Sequence, residues 1–333
     1  MSRTDARLNP STPDLTPNRI QHQVRVARRK IWGMTQVPIE VIELRVGTTT
    51  LRVSPVAGGS ITRYASEQGG RTFEWMRPAL ADAVRSRSAG STSSFPLVPF
   101  SNRIRDAAFR FQGRAIQLPP SSPASPHALH GHGWRQPWAV VTQSATSLTL
   151  EYRHEADAWP WGYRAEQHFE LRPDGLTVRF AVTNESAEPM PVGFGIHPYY
   201  VRTPQVRFRA TVDRMWQTDA NEMPAEVVAP PPGLRFDEAG LSPDETVLDN
   251  NFLGFRGRAR VEWPEWNAGL EMRADPIFSC LVIYTPERRD FFCAEPVTNC
   301  IDGFNLADRG RTDTGMIVLD PGDTATGDVT FTP

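Results

Sequence analysis

Up to about residue 35 the chain shows no sustained alternation of apolar and polar positions. Pro10, Pro13 and Pro17 interrupt it, and arginines are scattered through it. We expect a flexible basic arm over residues 1–35, with a short helix around Gln21–Lys30. From Ile39 the texture changes. Val41, Leu44, Val46, Leu51, Val53 and Ile61 interleave with polar residues, and Gly47 and Gly58-Gly59 mark turns between them. The same texture recurs at Trp138–Val141, Leu148–Tyr152, Leu176–Val182, Leu281–Tyr284 and Asp328–Phe331. Strand-length runs bounded by Pro, Gly, Asn and Asp predict an all-β fold, a large antiparallel β-sandwich forming one domain over residues 36–333. Ala79–Ser94 (ALADAVRSRSAGSTSS) reads as a helix running into a Ser/Gly loop. No strand–helix alternation with a glycine-rich turn is present, which argues against a nucleotide-binding α/β fold.

Composition sharpens this reading. Of 333 residues, 30 are proline, nearly twice the usual share of about 5%. Each interior proline removes a helical hydrogen bond and clashes with the preceding turn, so a long helical bundle is excluded. Basic and acidic residues number 36 and 38 and leave a net charge of −2. Lys30 is the single lysine. An arginine-biased composition of this kind gives no special weight to nucleic acid as a partner. The charge is uneven: residues 1–30 carry a net +5 and the rest a net −7. Cys280, Cys293 and Cys300 are odd in number and form no C-x-x-C pair, so neither a disulfide framework nor a zinc knuckle is indicated. No apolar run approaches the ~18 residues that span a bilayer, and the first residues lack the apolar core of a secretory signal. We expect a soluble cytoplasmic protein without a membrane partner, monomer or dimer.

Several polar groups lie embedded among apolar, glycine and proline neighbours. In Phe95-Pro-Leu-Val-Pro-Phe-Ser-Asn-Arg, Asn102 and Arg103 follow a proline-rich stretch, so a strand end could aim them into a cleft. An arginine fork suits hydroxyl or carboxylate oxygens, and a surface salt bridge is the plainer reading. In His127-Ala-Leu-His-Gly-His-Gly-Trp, His130 and His132 would share one face of a strand. No third ligand stands at fixed spacing, so ligand hydrogen bonding or packing is favoured over zinc. Gly131 and Gly133 indicate close backbone approach. In Pro191-Val-Gly-Phe-Gly-Ile-His-Pro-Tyr-Tyr, His197 is either a satisfied core histidine or a proton donor. Asp249 sits in Leu248-Asp-Asn-Asn-Phe, which reads as a turn. Glu295 ends the apolar run Phe291-Phe-Cys-Ala-Glu, where desolvation would raise its pKa towards that of a useful base.

Taken together, these segments resemble the aldose 1-epimerase (galactose mutarotase) family. PFSNRI, HALHGHGW, WPWGY at Trp159–Tyr163, PVGFGIHPYY, LDNNF, AEPVTNCIDGFN and the closing VLDPGD occur in the family's order from about Val53 onward. The resemblance implies a galactose mutarotase-like supersandwich with an open sugar cleft and no metal or organic cofactor. It implies Glu295 as catalytic base and His197 as catalytic acid, with Asn102, Arg103, His130 and Asp249 binding sugar hydroxyls. Two departures fall on substrate-contacting regions. The histidine segment reads LHGHGWRQPW, without the longer glycine-rich form, and Pro286 stands where many members have Gln. His132 and Trp134 are expected to supply replacement contacts.

The expected function is therefore aldose 1-epimerase activity on a small-molecule sugar, interconverting α and β anomers. A glycoside hydrolase using Asp249 and Glu295 would leave His197 without a role. A non-catalytic sugar-binding or sensing protein on the same fold remains open, as does a phosphosugar epimerase drawing on Arg105 and Arg135.

Overall fold

The computed structural model describes residues 40–333 apart from Gly233, Arg235 and Glu238. The expected arm over residues 1–35 and its helix at Gln21–Lys30 lie outside the described residues. Within them, apolar alternation has become strand after strand. The larger sheet has eleven strands, all paired antiparallel. Ten run in the order Ile42–Val46, Thr49–Ser54, Ser60–Gln68, Ser94–Leu97, Gly195–Val201, Phe291–Val297, Cys280–Tyr284, Asp249–Leu253, Arg214–Thr218 and Pro224–Val228, and Arg71–Glu74 pairs with Ser60–Gln68. A second sheet of eight strands runs from Ala139–Gln143 at one edge to Arg207–Ala210 at the other.

Period-two alternation in the central strands gives the larger sheet two different buried faces. On one face Ile196, Tyr200, Leu281, Ile283, Phe292 and Ala294 join the main hydrophobic core. That core lies between the sheets: Tyr64 Oη donates to the Phe331 carbonyl at 3.3 Å, and Phe180 stacks on Phe194 with centroids 5.3 Å apart. On the other face Phe95, Leu97, Tyr199, Val282, Cys293 and Val297 form a second, smaller cluster. Loops and the short paired strands Arg103–Ile104 and Ala128–Leu129 lie over this outer face, and the alternation that sends Ile196 and Ala294 inward sends His197 and Glu295 out towards them.

Three expectations need correction. Ala79–Ser94 is not a helix: Leu80–Ser88 forms successive turns, a 3₁₀ turn follows at Ala89–Ser91, and Ser94 begins a strand. The stretch buries only Ala83 and Ala89 in these turns and so has no apolar stripe to hold a helix. The Ser86 hydroxyl bonds back to the Asp82 carbonyl at 2.7 Å, and Arg87 is left-handed at φ 52°. Among the described residues the one α-helix is Gly303–Asp308. Asp249 opens a strand instead of sitting in a turn. His130 and His132 do not share a strand face, because His130 is itself left-handed at φ 58° and Gly131 follows at φ 65°.

Gly131 explains that break. A Cβ there would lie 2.2 Å from the Val98 carbonyl oxygen, which also accepts the His132 and Gly133 amides at 3.1 Å each. The loop is thereby sewn onto the end of the Ser94–Leu97 strand. Gly58 permits a second close approach, its Cβ position lying 2.0 Å from the Trp134 carbonyl oxygen.

Candidate active site

Strand register brings the chemistry together. His197 pairs with Phe95 on one side, and the pairings Gly195 with Val297 and Tyr199 with Cys293 set Glu295 opposite His197 on the other. Glu295 in turn pairs with Val282, and Val282 with Asn251. One row across five neighbouring strands therefore holds Phe95, His197, Glu295, Val282 and Asn251 on the outer face. The His197 imidazole packs against Phe95 and Tyr199, with centroids at 4.4 and 4.8 Å and planes within 27°. These two ring contacts restrain the imidazole plane and leave its Nε2 edge to act.

That edge meets Glu295: His197 Nε2 lies 3.1 Å from Glu295 Oε1. Both residues are buried, at 7% and 2% exposure. Glu295 Oε2 and His197 Nδ1 have no hydrogen-bond partner in the protein. Burial pushes the Glu295 carboxyl well above the usual carboxylate range, Asp249 adding to the effect and Arg103 opposing it. Burial likewise drives His197 down to about 3, with a smaller contribution from Arg77. Both shifts disfavour isolated charge, so the pair is net neutral and holds one proton across the 3.1 Å contact.

The pair lines a cavity of about 300 Å³ whose wall also includes Asn102, Arg103, His130, Trp134 and Asp249. Six of the eight residues expected from the sequence to form the site are therefore joined by Trp134 in one place, and His132 is the exception. His132 points away, its Nε2 2.8 Å from the Tyr163 hydroxyl and its ring 4.2 Å from that of His154. Burial and His154 hold it down to about 3, so it is a neutral packing residue between the sheets and the loop.

The remaining wall residues are held firmly. The Asn102 amide donates to His130 Nδ1 at 3.0 Å and the His130 amide donates to the Asn102 carbonyl at 2.9 Å. This reciprocal clasp makes Nδ1 the acceptor, so the neutral ring carries its proton on Nε2. Burial, seconded by His197 and Arg103, keeps His130 well below its ordinary value, and it acts as a hydrogen-bond donor without charge. Arg103 reaches Glu222 at 2.5 Å and Asp249 at 3.4 Å. Trp134 stacks on Phe95 at 5.2 Å and offers a flat apolar wall, half-buried, of the kind that receives a sugar ring face.

Sequence reading missed Phe95, Tyr199, Glu222 and Tyr284, which also line the cavity. The alternation signal could have found Tyr199, two residues from His197 on the same strand. Glu222 carried no such signal: it sits at φ 60° in a turn that Asp219 caps by accepting the Asn221 and Met223 amides. A larger groove of about 550 Å³ lies along Arg258, Arg260, Glu262 and Glu271 on the smaller sheet. Those charges pair with one another there, Arg260 with Glu262 at 2.9 Å and Arg258 with Glu271 at 3.2 Å. Its lining holds no buried acid–base pair, whereas the smaller cavity holds the Glu295–His197 pair. For a metal, the histidines of the His130 loop do not converge. The group that does is His197, Cys293 and Glu295, with one donor atom from each within 4.8 Å of the others.

Comparison with known proteins bears on this geometry. The sequence profile for aldose 1-epimerase matches residues 40–332. YphB of Escherichia coli K12, a protein of uncharacterised function, is 34% identical over 292 residues, covering 84% of this chain and 98% of its own. A crystal structure from Escherichia coli K12, described as that of a candidate aldose 1-epimerase, is similar with TM-score 0.78 and 32% identity, over 88% of this chain and 98% of that one. A galactose mutarotase-like protein from Clostridium acetobutylicum shares the fold with TM-score 0.79 at 19% identity, over 87% and 94% of the two chains.

Proposed function

The chain belongs to the aldose 1-epimerase family, and from that premise we propose that it interconverts the α and β anomers of a free aldose, with Glu295 as base and His197 as acid. The observation that carries this is the buried Glu295–His197 contact of 3.1 Å at the wall of a sugar-sized cavity. Anomer exchange needs one proton removed from the C1 hydroxyl and one given to the ring oxygen. Glu295 takes the first and His197 gives the second, the bond from C1 to the ring oxygen breaks, and an open-chain aldehyde forms. Rotation about the bond from C1 to C2 turns the other carbonyl face to the returning hydroxyl. Closure reverses both transfers and restores the pair. Each group contributes about 10²–10⁴-fold.

Asn102, Arg103, His130 and Asp249 then orient the ring through its hydroxyls, and Trp134 covers one face. Charge favours a neutral sugar. The cavity sets Glu222 and Asp249 against Arg103, which repels a phosphate. Arg105 is engaged with Asp219 at 3.3 Å, and Arg135 lies 4.5 Å over the Trp134 ring and bonds the Ser121 carbonyl. Neither arginine is among the cavity residues, so a phosphosugar reading loses its cations.

Proton NMR on freshly dissolved α-sugars tests the proposal. Anomeric exchange faster than the uncatalysed rate is the expected result. New reducing ends from glycosides would instead indicate hydrolysis, and shift changes without exchange would indicate a binder.

A further inference from the structure

We propose that the same wall is a binding site for a thiophilic divalent cation of the zinc class, held by His197, Cys293 and Glu295, and that the cation blocks turnover by occupying both proton-transfer groups. Blockage rests on the anomer-exchange reading above; cation binding does not. The three residues come from two adjacent antiparallel strands and face the same side of the sheet. Their donor atoms already lie within 4.8 Å of one another. Ligands at zinc distances of about 2.0–2.3 Å in tetrahedral array stand about 3.5 Å apart, so closing the site takes side-chain shifts of about 1 Å. His197 Nδ1 and Glu295 Oε2 are buried without hydrogen-bond partners, so donor capacity is already in place.

The donor set decides which cation. One thiolate, one imidazole and one carboxylate form the three-ligand pattern that leaves a fourth position open, and two of the three, His197 and Glu295, line the cavity. A thiolate ligand selects zinc-class cations over magnesium and calcium, which prefer oxygen. Charge also balances. Before binding, the three residues are a neutral thiol and a neutral one-proton His197–Glu295 pair. Binding one dication releases the thiol proton and the pair's proton to solvent and leaves thiolate, carboxylate and neutral imidazole around the metal. The buried site is thus net neutral before and after, and no uncompensated charge is buried. Once bound, the cation leaves no carboxylate to accept the C1 hydroxyl proton and no protonated imidazole to donate one.

Cobalt(II) is the direct probe. Chelator-treated, desalted protein titrated with cobalt(II) should show a thiolate-to-metal absorption band that saturates at one equivalent and is displaced by zinc. Cys293→Ser should abolish the band. Zinc should inhibit anomer exchange reversibly, EDTA should restore it, and magnesium should have no effect. Measured against its own uninhibited rate, Cys293→Ser should require at least about tenfold more zinc for the same fractional inhibition. If that variant does not fold, Cys293→Ala and the wild-type cobalt spectrum carry the test. Absence of the band at one equivalent, a band unchanged in the variant, or equal zinc inhibition of variant and wild type overturns the site. A cobalt band in a protein that does not exchange anomers would keep the cation site and discard the proposed activity.

Discussion

At the scale of single residues, the important contact is between two groups that burial treats in opposite ways. Glu295 is raised and His197 lowered, and the proposed anomer exchange requires one proton between them. As pH falls the pair takes a second proton and loses its base; as pH rises it gives up its only proton and loses its acid. The lowered imidazole therefore moves the acid limb down, the raised carboxyl sets the alkaline limb, and each limb belongs to the pair. A pH–rate profile should hold its rate below the ordinary carboxylate value of about 4.3, and an acid fall at that value would count against this account. Glu295→Gln should lower kcat by about 10²–10⁴-fold with little change in KM, and His197→Asn should do the same. The double variant should lose far less than the product of the two, because acid and base act as a unit. Sugar-orienting residues should behave differently: Arg103→Ala or Asp249→Ala should weaken capture by about 1–3 kcal/mol, read as a fall in kcat/KM on the best substrate.

At the scale of elements, two loops complete a site that the sheet only begins. The His130 loop is fastened through Gly131, whose left-handed φ of 65° and contact with the Val98 carbonyl leave no room for a side chain. Gly131→Ala should cost about 2 kcal/mol or more from strain and displacement and should raise KM, because His130 is its neighbour. A lowered Tm with unchanged KM would show that the loop tolerates the shift without moving His130. The opposite rim is the turn holding Glu222, capped by Asp219, which also meets Arg105 at 3.3 Å.

At the scale of the whole molecule, one hydrophobic core between the sheets supports a second cluster on the outer face of the larger sheet, and the site lies on that second cluster. The family match begins at residue 40, and residues 1–35 lack apolar periodicity. A chain starting at Gln36 should melt and turn over as the full chain does; a stability loss above about 2 kcal/mol, beyond ordinary surface effects, would show that the arm packs. Prolonged dialysis against EDTA should leave activity intact, and a loss restored by added metal would make the cation a cofactor instead of a blocker. No helix among the described residues is long and apolar enough to cross a membrane.

Alternation and turn residues were enough to predict an antiparallel sandwich and to read the strand at Leu281–Tyr284 beside Glu295, because side-chain direction in a strand follows from period two alone. They also placed His197 and Glu295 in apolar segments, where desolvation shifts a titratable group. What the chain could not disclose by itself were contacts made across it. His130 and His132 diverge because Gly131 must fit beneath Val98, a long-range constraint that local spacing does not encode. Glu222 reaches Arg103 from a turn with no apolar pattern, and Cys293 joins the pair only through the register of two strands separated by some ninety residues. Register between distant strands is set by which faces bury together, so the meeting of His197 with Glu295 was a matter for the folded sheet.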